Sequence, residues 1–87
     1  MTARSPVITG LGLVTPLGCD VAEVWQRMRA GESGLGKLTL FPSPRYGQSP
    51  VAEVRADLVA LGAPRRGSRS DRLVWLAARN ALDSARL

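Results

Sequence analysis

The run Val7-Ile8-Thr9-Gly10-Leu11-Gly12-Leu13-Val14 constrains this 87-residue chain more than any other stretch. It carries no charge, is rich in β-branched side chains, and places glycine at two alternating positions. Such a run predicts a strand, and the glycines predict that something packs close against its backbone. The apolar side chains do not alternate with polar ones, which suits a central strand buried on both faces. Thr15-Pro16 ends it, because proline has no N–H to give a sheet ladder.

A helix is expected directly afterwards. Asp20 is a good N-cap with Glu23 three residues on, as in a capping box. Val21, Val24, Trp25 and Met28 then recur with the spacing of one helical face, which makes Trp25 a core residue. Gly31 supplies a left-handed stop, so the helix runs from about residue 21 to 30. Strand, tight turn and helix are half of a βαβ unit, and the fold class is α/β.

Residues 31–50 read as loop, with a short extended piece at 37–41. A second short strand is expected at 51–54, and one or two helical turns at 57–61 before Gly62 and Pro64 end them. The last segment is the strongest helix. Ser68 or Ser70 caps it, and Asp71 falls favourably in its first turn. Val74, Ala77, Ala78, Ala81, Leu82 and Ala85 make a continuous stripe, with four alanines leaving room for a neighbouring backbone, and the helix is expected to run to Leu87. Trp75 lies off that stripe, where it would cover a partner.

Composition narrows the chemistry. The length suits one small domain, and such domains bury only about 60–65% of their unfolded surface. An apolar fraction of 45% is that of a globular chain. No window offers the run of ~20 apolar residues that spans a membrane, and no signal-peptide pattern is present. The single cysteine fits a reducing compartment, so a cytoplasmic location is expected. The chain contains no histidine. Cys19 therefore has no imidazole to convert its thiol to the reactive thiolate, and it reads as a small structural residue. No residue set stands out as catalytic, cofactor-binding or metal-ligating.

Two motifs tempt and fail. Residues 31–38 nearly match the phosphate-binding loop G-x-x-x-x-G-K-[ST], but Leu38 stands where a magnesium-binding hydroxyl is required. That loop also joins a strand to a helix, whereas this segment follows a helix and leads to Pro42. Gly10-Leu11-Gly12 begins a dinucleotide fingerprint whose third glycine is replaced by Thr15.

The net charge is +5, and arginine supplies all but one of the twelve positive side chains. The charge is densest at Arg65, Arg66, Arg69 and Arg72. Clustered cations steer the approach of an acidic partner. An aromatic content of 5% is too low for a base-stacking platform, so nucleic acid is not the expected ligand.

Nearly the whole chain resembles one enzyme family. The opening Val7-Ile8-Thr9-Gly10-Leu11-Gly12-Leu13-Val14-Thr15-Pro16-Leu17-Gly18, with Asp20-Val21, Trp25, Ala30-Gly31-Glu32-Ser33-Gly34, Phe41, Ala52-Glu53-Val54 and Ser70-Asp71-Arg72-Leu73, is similar to the start of the β-ketoacyl-(acyl-carrier-protein) synthases. Ser70 stands where the family usually has methionine. The resemblance implies a partial thiolase-like fold, comprising the first part of the N-terminal half, in which residues 7–14 are a central strand. Residues 1–87 would then be an incomplete synthase domain. It implies a family of acyltransferases that carry out decarboxylative Claisen condensation in fatty acid or polyketide synthesis. Those enzymes use a cysteine and two histidines that lie beyond the matched region, need no cofactor, and usually form homodimers. It implies an acidic acyl carrier protein as partner, received by basic residues near Arg65, Arg66 and Arg69. The alternative is a small non-catalytic module that binds an acidic carrier protein or another anionic partner through the same arginines. On either reading the isolated chain is expected to be weakly folded.

Overall fold

The computed structural model describes residues 4–87. Four elements follow in chain order: α1 (Val21–Arg29), β1 (Leu35–Gly36), β2 (Val51–Ala52) and α2 (Arg69–Ser84). The molecule is a small α/β arrangement of two helices and one antiparallel two-stranded sheet, in which Leu35 pairs with Ala52 and Gly36 with Val51.

Local capping explains the helices. The Asp20 carboxylate accepts a hydrogen bond from the Glu23 N–H at 3.2 Å and starts α1. Glu23 does not return the contact, and its carboxylate pairs instead with Arg27 at 2.8 Å, one turn along. Gly31 adopts φ 76, while the N–H groups of Gly31 and Glu32 bond back to Met28 and Arg27. This is a Schellman ending, as the glycine led one to expect. Ser68, rather than Ser70, caps α2, and it does so with a full reciprocal box. The Ser68 hydroxyl accepts from the Asp71 N–H at 3.1 Å, and the Asp71 carboxylate accepts from the Ser68 N–H at 2.9 Å. The helix does not continue to Leu87. It ends at Ser84, where Arg86 and Leu87 bond back to Asp83 and Leu82 in a second Schellman ending.

The expected central strand is not formed. Among the described residues, no backbone–backbone hydrogen bond involves the chain before Thr15, and Val7 and Ile8 are 79% and 81% exposed. A strand is a strand only through its neighbours, and this segment has none beside it. The close approach inferred from its glycines is present all the same. A Cβ at Gly12 would overlap the Ala77 carbonyl oxygen and lie 2.6 Å from the Ala81 nitrogen. One at Gly10 would lie 2.5 Å from the Ala85 nitrogen. The segment thus lies along the small-residue face Ala77, Ala81 and Ala85 of α2, and Leu11 N–H donates to the Ser84 hydroxyl at 3.3 Å.

The tight turn at residues 15–18 is closed by two bonds, Thr15 N–H to Gly18 O at 2.9 Å and Gly18 N–H to Thr15 O at 3.0 Å. It delivers Cys19 to a small core of Leu58, Ala63 and Leu76, with Val14, Val54 and Leu73 packed around it. The core face of α2 is therefore Leu73 and Leu76, not the alanine stripe alone, and Val74 and Leu82 remain exposed. Of the apolar face of α1 only Val24 is buried. Trp25 is exposed, contrary to its expected place in the core. The helix pattern supplied an apolar face, but no second layer covers it.

Residues 57–63 form the expected helical turn, begun by the Asp57 carboxylate on Ala60 N–H at 3.1 Å and closed by Ala63 N–H on Leu58 O at 2.9 Å. The extended piece expected at 37–41 is replaced by β1, two residues earlier, and the second strand is shortened to Val51–Ala52. Just past β2, Glu53 is 5% exposed and fastens the intervening loop. Its carboxylate accepts from Thr39 Oγ1 at 2.6 Å, Thr39 N–H at 2.7 Å and Leu40 N–H at 3.2 Å.

These hydrogen bonds, from the Thr39 hydroxyl above all, hold the Glu53 carboxyl below its ordinary value of 4.5 against the opposing effect of burial. A carboxyl lowered on folding stabilises the fold in full above its unfolded value and loses that contribution as pH falls through the folded value. Amide-exchange protection at Thr39 and Leu40 is therefore expected to fade on acidification below that range, and Glu53→Gln to show weaker protection with no such pH dependence. Identical acid profiles in the two proteins would refute the assignment.

The accessible surface is 7050 Å². A compact monomer of 9.3 kDa would expose about 5000 Å². The radius of gyration is 16.4 Å against the roughly 12 Å of a compact chain this long. This chain folds locally and leaves much apolar surface uncovered. No helix among the described residues is long and apolar enough to cross a membrane.

Candidate functional site

The arginine cluster spans the loop that leads into α2, with Arg65 and Arg66, and the first turn of the helix, with Arg69 and Arg72. Arg65 and Arg66 are exposed. The other two members are partly turned inward and serve the fold. Arg69 is half-buried and its guanidinium donates to the Val54 carbonyl. Arg72 donates to the carbonyls of Gly67 at 3.0 Å and Arg65 at 3.3 Å, fixing the loop against the helix start. Arg55 behaves the same way on the sheet, donating to the Lys37 carbonyl at 3.2 Å. A guanidinium has five donors in a planar fork, so one side chain can close several loop carbonyls that no strand satisfies. The positive end of the α2 dipole lies in the same region, and Asp71 is already engaged there with Ser68. The exposed cationic surface is therefore narrower than the sequence cluster: Arg65 and Arg66 are exposed, and Arg69 is half-buried.

A second concave region, of about 760 Å³, lies between the N-terminal segment, the start of α1 and α2. Leu11, Gly12, Cys19, Leu76, Arg79 and Asn80 are among the residues that line it. Its one thiol is Cys19, whose pKa is raised chiefly by burial, with the Glu23 charge acting in the same direction and a backbone hydrogen bond at Thr15 opposing. A raised thiol is a poor nucleophile, and the neighbouring carboxylate cannot favour its anion. Asn80 donates to the Cys19 carbonyl at 3.3 Å, which ties the turn to α2. Arg79 stacks over the Trp75 ring at 5.3 Å and lies 3.8 Å from Asp83. The region is a packing surface with a structural cysteine in it. Among the described residues no group of three His, Cys, Asp or Glu side chains could hold a metal ion.

The near phosphate-binding loop at residues 31–38 forms the end of α1 and β1, and no helix opens after Lys37. Gly10 and Gly12 meet α2 and line no phosphate cradle. Sequence reasoning missed the inward, structural use of Arg69 and Arg72 and the loop-closing roles of Arg55 and Glu53. Nothing in the spacing of residues 39 and 53 marks them as partners.

The chain is similar to 3-oxoacyl-(acyl-carrier-protein) synthase 2 of Coxiella burnetii, with 46% identity over 55 residues, 63% of this chain and 13% of that protein. It is also similar to the protein of the same name from Staphylococcus aureus, with 31% identity over 85 residues, 93% of this chain and 21% of that protein. The chain therefore spans about a fifth or less of the length of the curated relatives it matches. No protein-family model matches it, and no solved structure does so either.

Proposed function

We propose that the chain is the N-terminal part of a β-ketoacyl-carrier-protein synthase, with a partial thiolase-like fold and a scaffolding and carrier-docking role. The observation that carries this reading is the 31% identity across 93% of the chain to a protein whose name states both the activity and the carrier. The chemistry of the residues agrees. The one thiol is structural, there is no imidazole, and so the acyl transfer and condensation belong to groups outside these residues. In the complete enzyme an acyl group passes to a cysteine. A carrier-bound malonyl unit then loses carbon dioxide, and its carbanion attacks the acyl thioester, expelling the cysteine thiolate and leaving the β-ketoacyl chain on the carrier. Residues 1–87 supply the α2 platform and, through Arg65, Arg66 and Arg69, part of the surface that receives an acidic carrier protein in the cytoplasm. No cofactor is involved on this reading, and the assembled enzyme is a homodimer.

Co-expression tests the reading directly. Supplied with a synthase polypeptide that lacks its matching N-terminal segment, the chain should restore condensation of acyl and malonyl carrier thioesters. No activity above that of the truncated polypeptide alone would reject the proposal. In the same assembly, Arg65→Ala with Arg66→Ala should weaken carrier binding about five- to tenfold at low salt, and less at high salt, as expected when two charges leave an electrostatic interface. Unchanged carrier affinity would remove the docking role. The exposed position of Arg65 and Arg66 also supports the second reading, a non-catalytic module that binds an anionic partner. That reading requires the isolated chain to bind the carrier with the same arginine dependence.

A further inference from the structure

The loop that carries Arg65 and Arg66 is held by a side chain. Among the described residues, no backbone–backbone hydrogen bond involves residues 64–67. One guanidinium nitrogen, Arg72 Nη1, stands in for them, donating to the Arg65 carbonyl at 3.3 Å and the Gly67 carbonyl at 3.0 Å. Pro64 restricts φ where the loop begins, and Gly67 turns it at φ 87 where it meets α2. Arg72 itself stands on the first turn of α2, whose start is fixed by the reciprocal Ser68–Asp71 box. The tether is therefore anchored on a capped helix. Among the described residues neither Arg72 nor the exposed pair Arg65 and Arg66 forms an ion pair. Arg72 is used on two neutral carbonyls, while the two cations it steadies stay open to a partner.

We propose that Arg72 is a positioning residue for carrier docking, holding Arg65 and Arg66 in a preformed arrangement. The acidic partner then meets an ordered pair of cations, and the loop need not lose its freedom at the moment of binding. This proposal rests on the docking role of Arg65 and Arg66. It assigns Arg72 no contact with the carrier. The effect of Arg72 on affinity must accordingly pass through the pair, and must vanish when the pair is removed.

Two measurements test this. The first is amide ¹⁵N relaxation of the 87-residue chain, which follows the tether alone. In Arg72→Met, Arg66 and Gly67 should gain picosecond-to-nanosecond motion, while Leu76 and Ala77 keep theirs. Arg72→Lys keeps the charge, but its ammonium stops one bond short of the Nη1 position, and it should loosen the loop as well. Unchanged loop order in these variants overturns the proposal. The second is turnover in the co-expressed assembly. Arg72→Met should raise the KM for the carrier thioester about threefold with kcat unchanged, the expected cost of ordering a loosened loop on binding. It should add nothing when Arg65 and Arg66 are already alanine. An equal loss in both backgrounds would mean that Arg72 meets the carrier itself, and no loss in either would mean that loop order is irrelevant to docking. Each of these overturns the proposal. If Arg65→Ala with Arg66→Ala leaves carrier affinity unchanged, the docking role itself is lost and the proposal with it, and the relaxation result still shows separately whether Arg72 orders the loop.

Discussion

Gly12→Val is expected to separate residues 7–14 from α2. The obstacle is backbone, since a Cβ at this position would overlap the Ala77 carbonyl oxygen and sit 2.6 Å from the Ala81 nitrogen. Side chains rotate away from an intruding methyl, but helix carbonyls do not. The cost should therefore fall at the upper end of overpacking, about 2–3 kcal/mol. Hydrogen exchange at Leu11, whose N–H donates to the Ser84 hydroxyl, should accelerate, and the denaturation midpoint should drop. Gly31→Ala is the contrast. No atom lies within 4 Å of a Cβ there, and only the left-handed backbone of φ 76 is strained, at about 1 kcal/mol. Equal losses in the two variants would show that the glycine-to-helix contact does not hold the segment.

Leu76→Ala should abolish fixed tertiary structure. Leu76 is 1% exposed and joins Leu58 and Ala63 in a core with few other members. Truncating a buried leucine costs about 2–5 kcal/mol. A domain of this length has about 4–13 kcal/mol in total by the usual per-residue figure. The surface left uncovered here places this chain at or below the lower end. The near-ultraviolet circular dichroism of Trp75, the residue next to Leu76, should collapse. Part of the helical signal should persist, because both helices are capped within their own sequence. Leu82→Ala, at an exposed position on the same helix, should change stability by less than about 0.5 kcal/mol. A Leu76→Ala protein with the wild-type near-ultraviolet spectrum would mean that the core is placed wrongly.

These two residues also mark how far the sequence can be read. Features decided within one turn of chain were legible. Asp20, Gly31, Ser68 with Asp71, and the turn begun by Asp57 all act on backbone groups three or four residues away. The glycine pair and the alanine stripe were each legible as half of a contact, and the structure joins them. Features that depend on a distant neighbour were not legible. Residues 7–14 have the composition of a strand, but pairing requires another strand beside them. Trp25 has the spacing of a core residue, but burial requires a second layer. Leu73 and Leu76 share a face one turn apart and could have been read as the core side of α2, had the alanines not drawn the stripe elsewhere. At the candidate site, the positions of the cations were readable from charge density. The direction of each side chain was not, because Arg69 finds Val54 fifteen residues away.

The inward arginines give ionic strength two unequal effects on this molecule. Arg55, Arg69 and Arg72 grip neutral carbonyl oxygens at contact distance, where dissolved ions cannot intervene and there is no countercharge to shield. Arg65 and Arg66 would act on a partner across water, over lengths that ordinary salt cuts to about 8–10 Å. Adding salt would thus release a bound acidic protein while the clasps within the chain stay shut. The same residue type does both jobs, so replacing an inner arginine by lysine would keep the charge and lose the clasp.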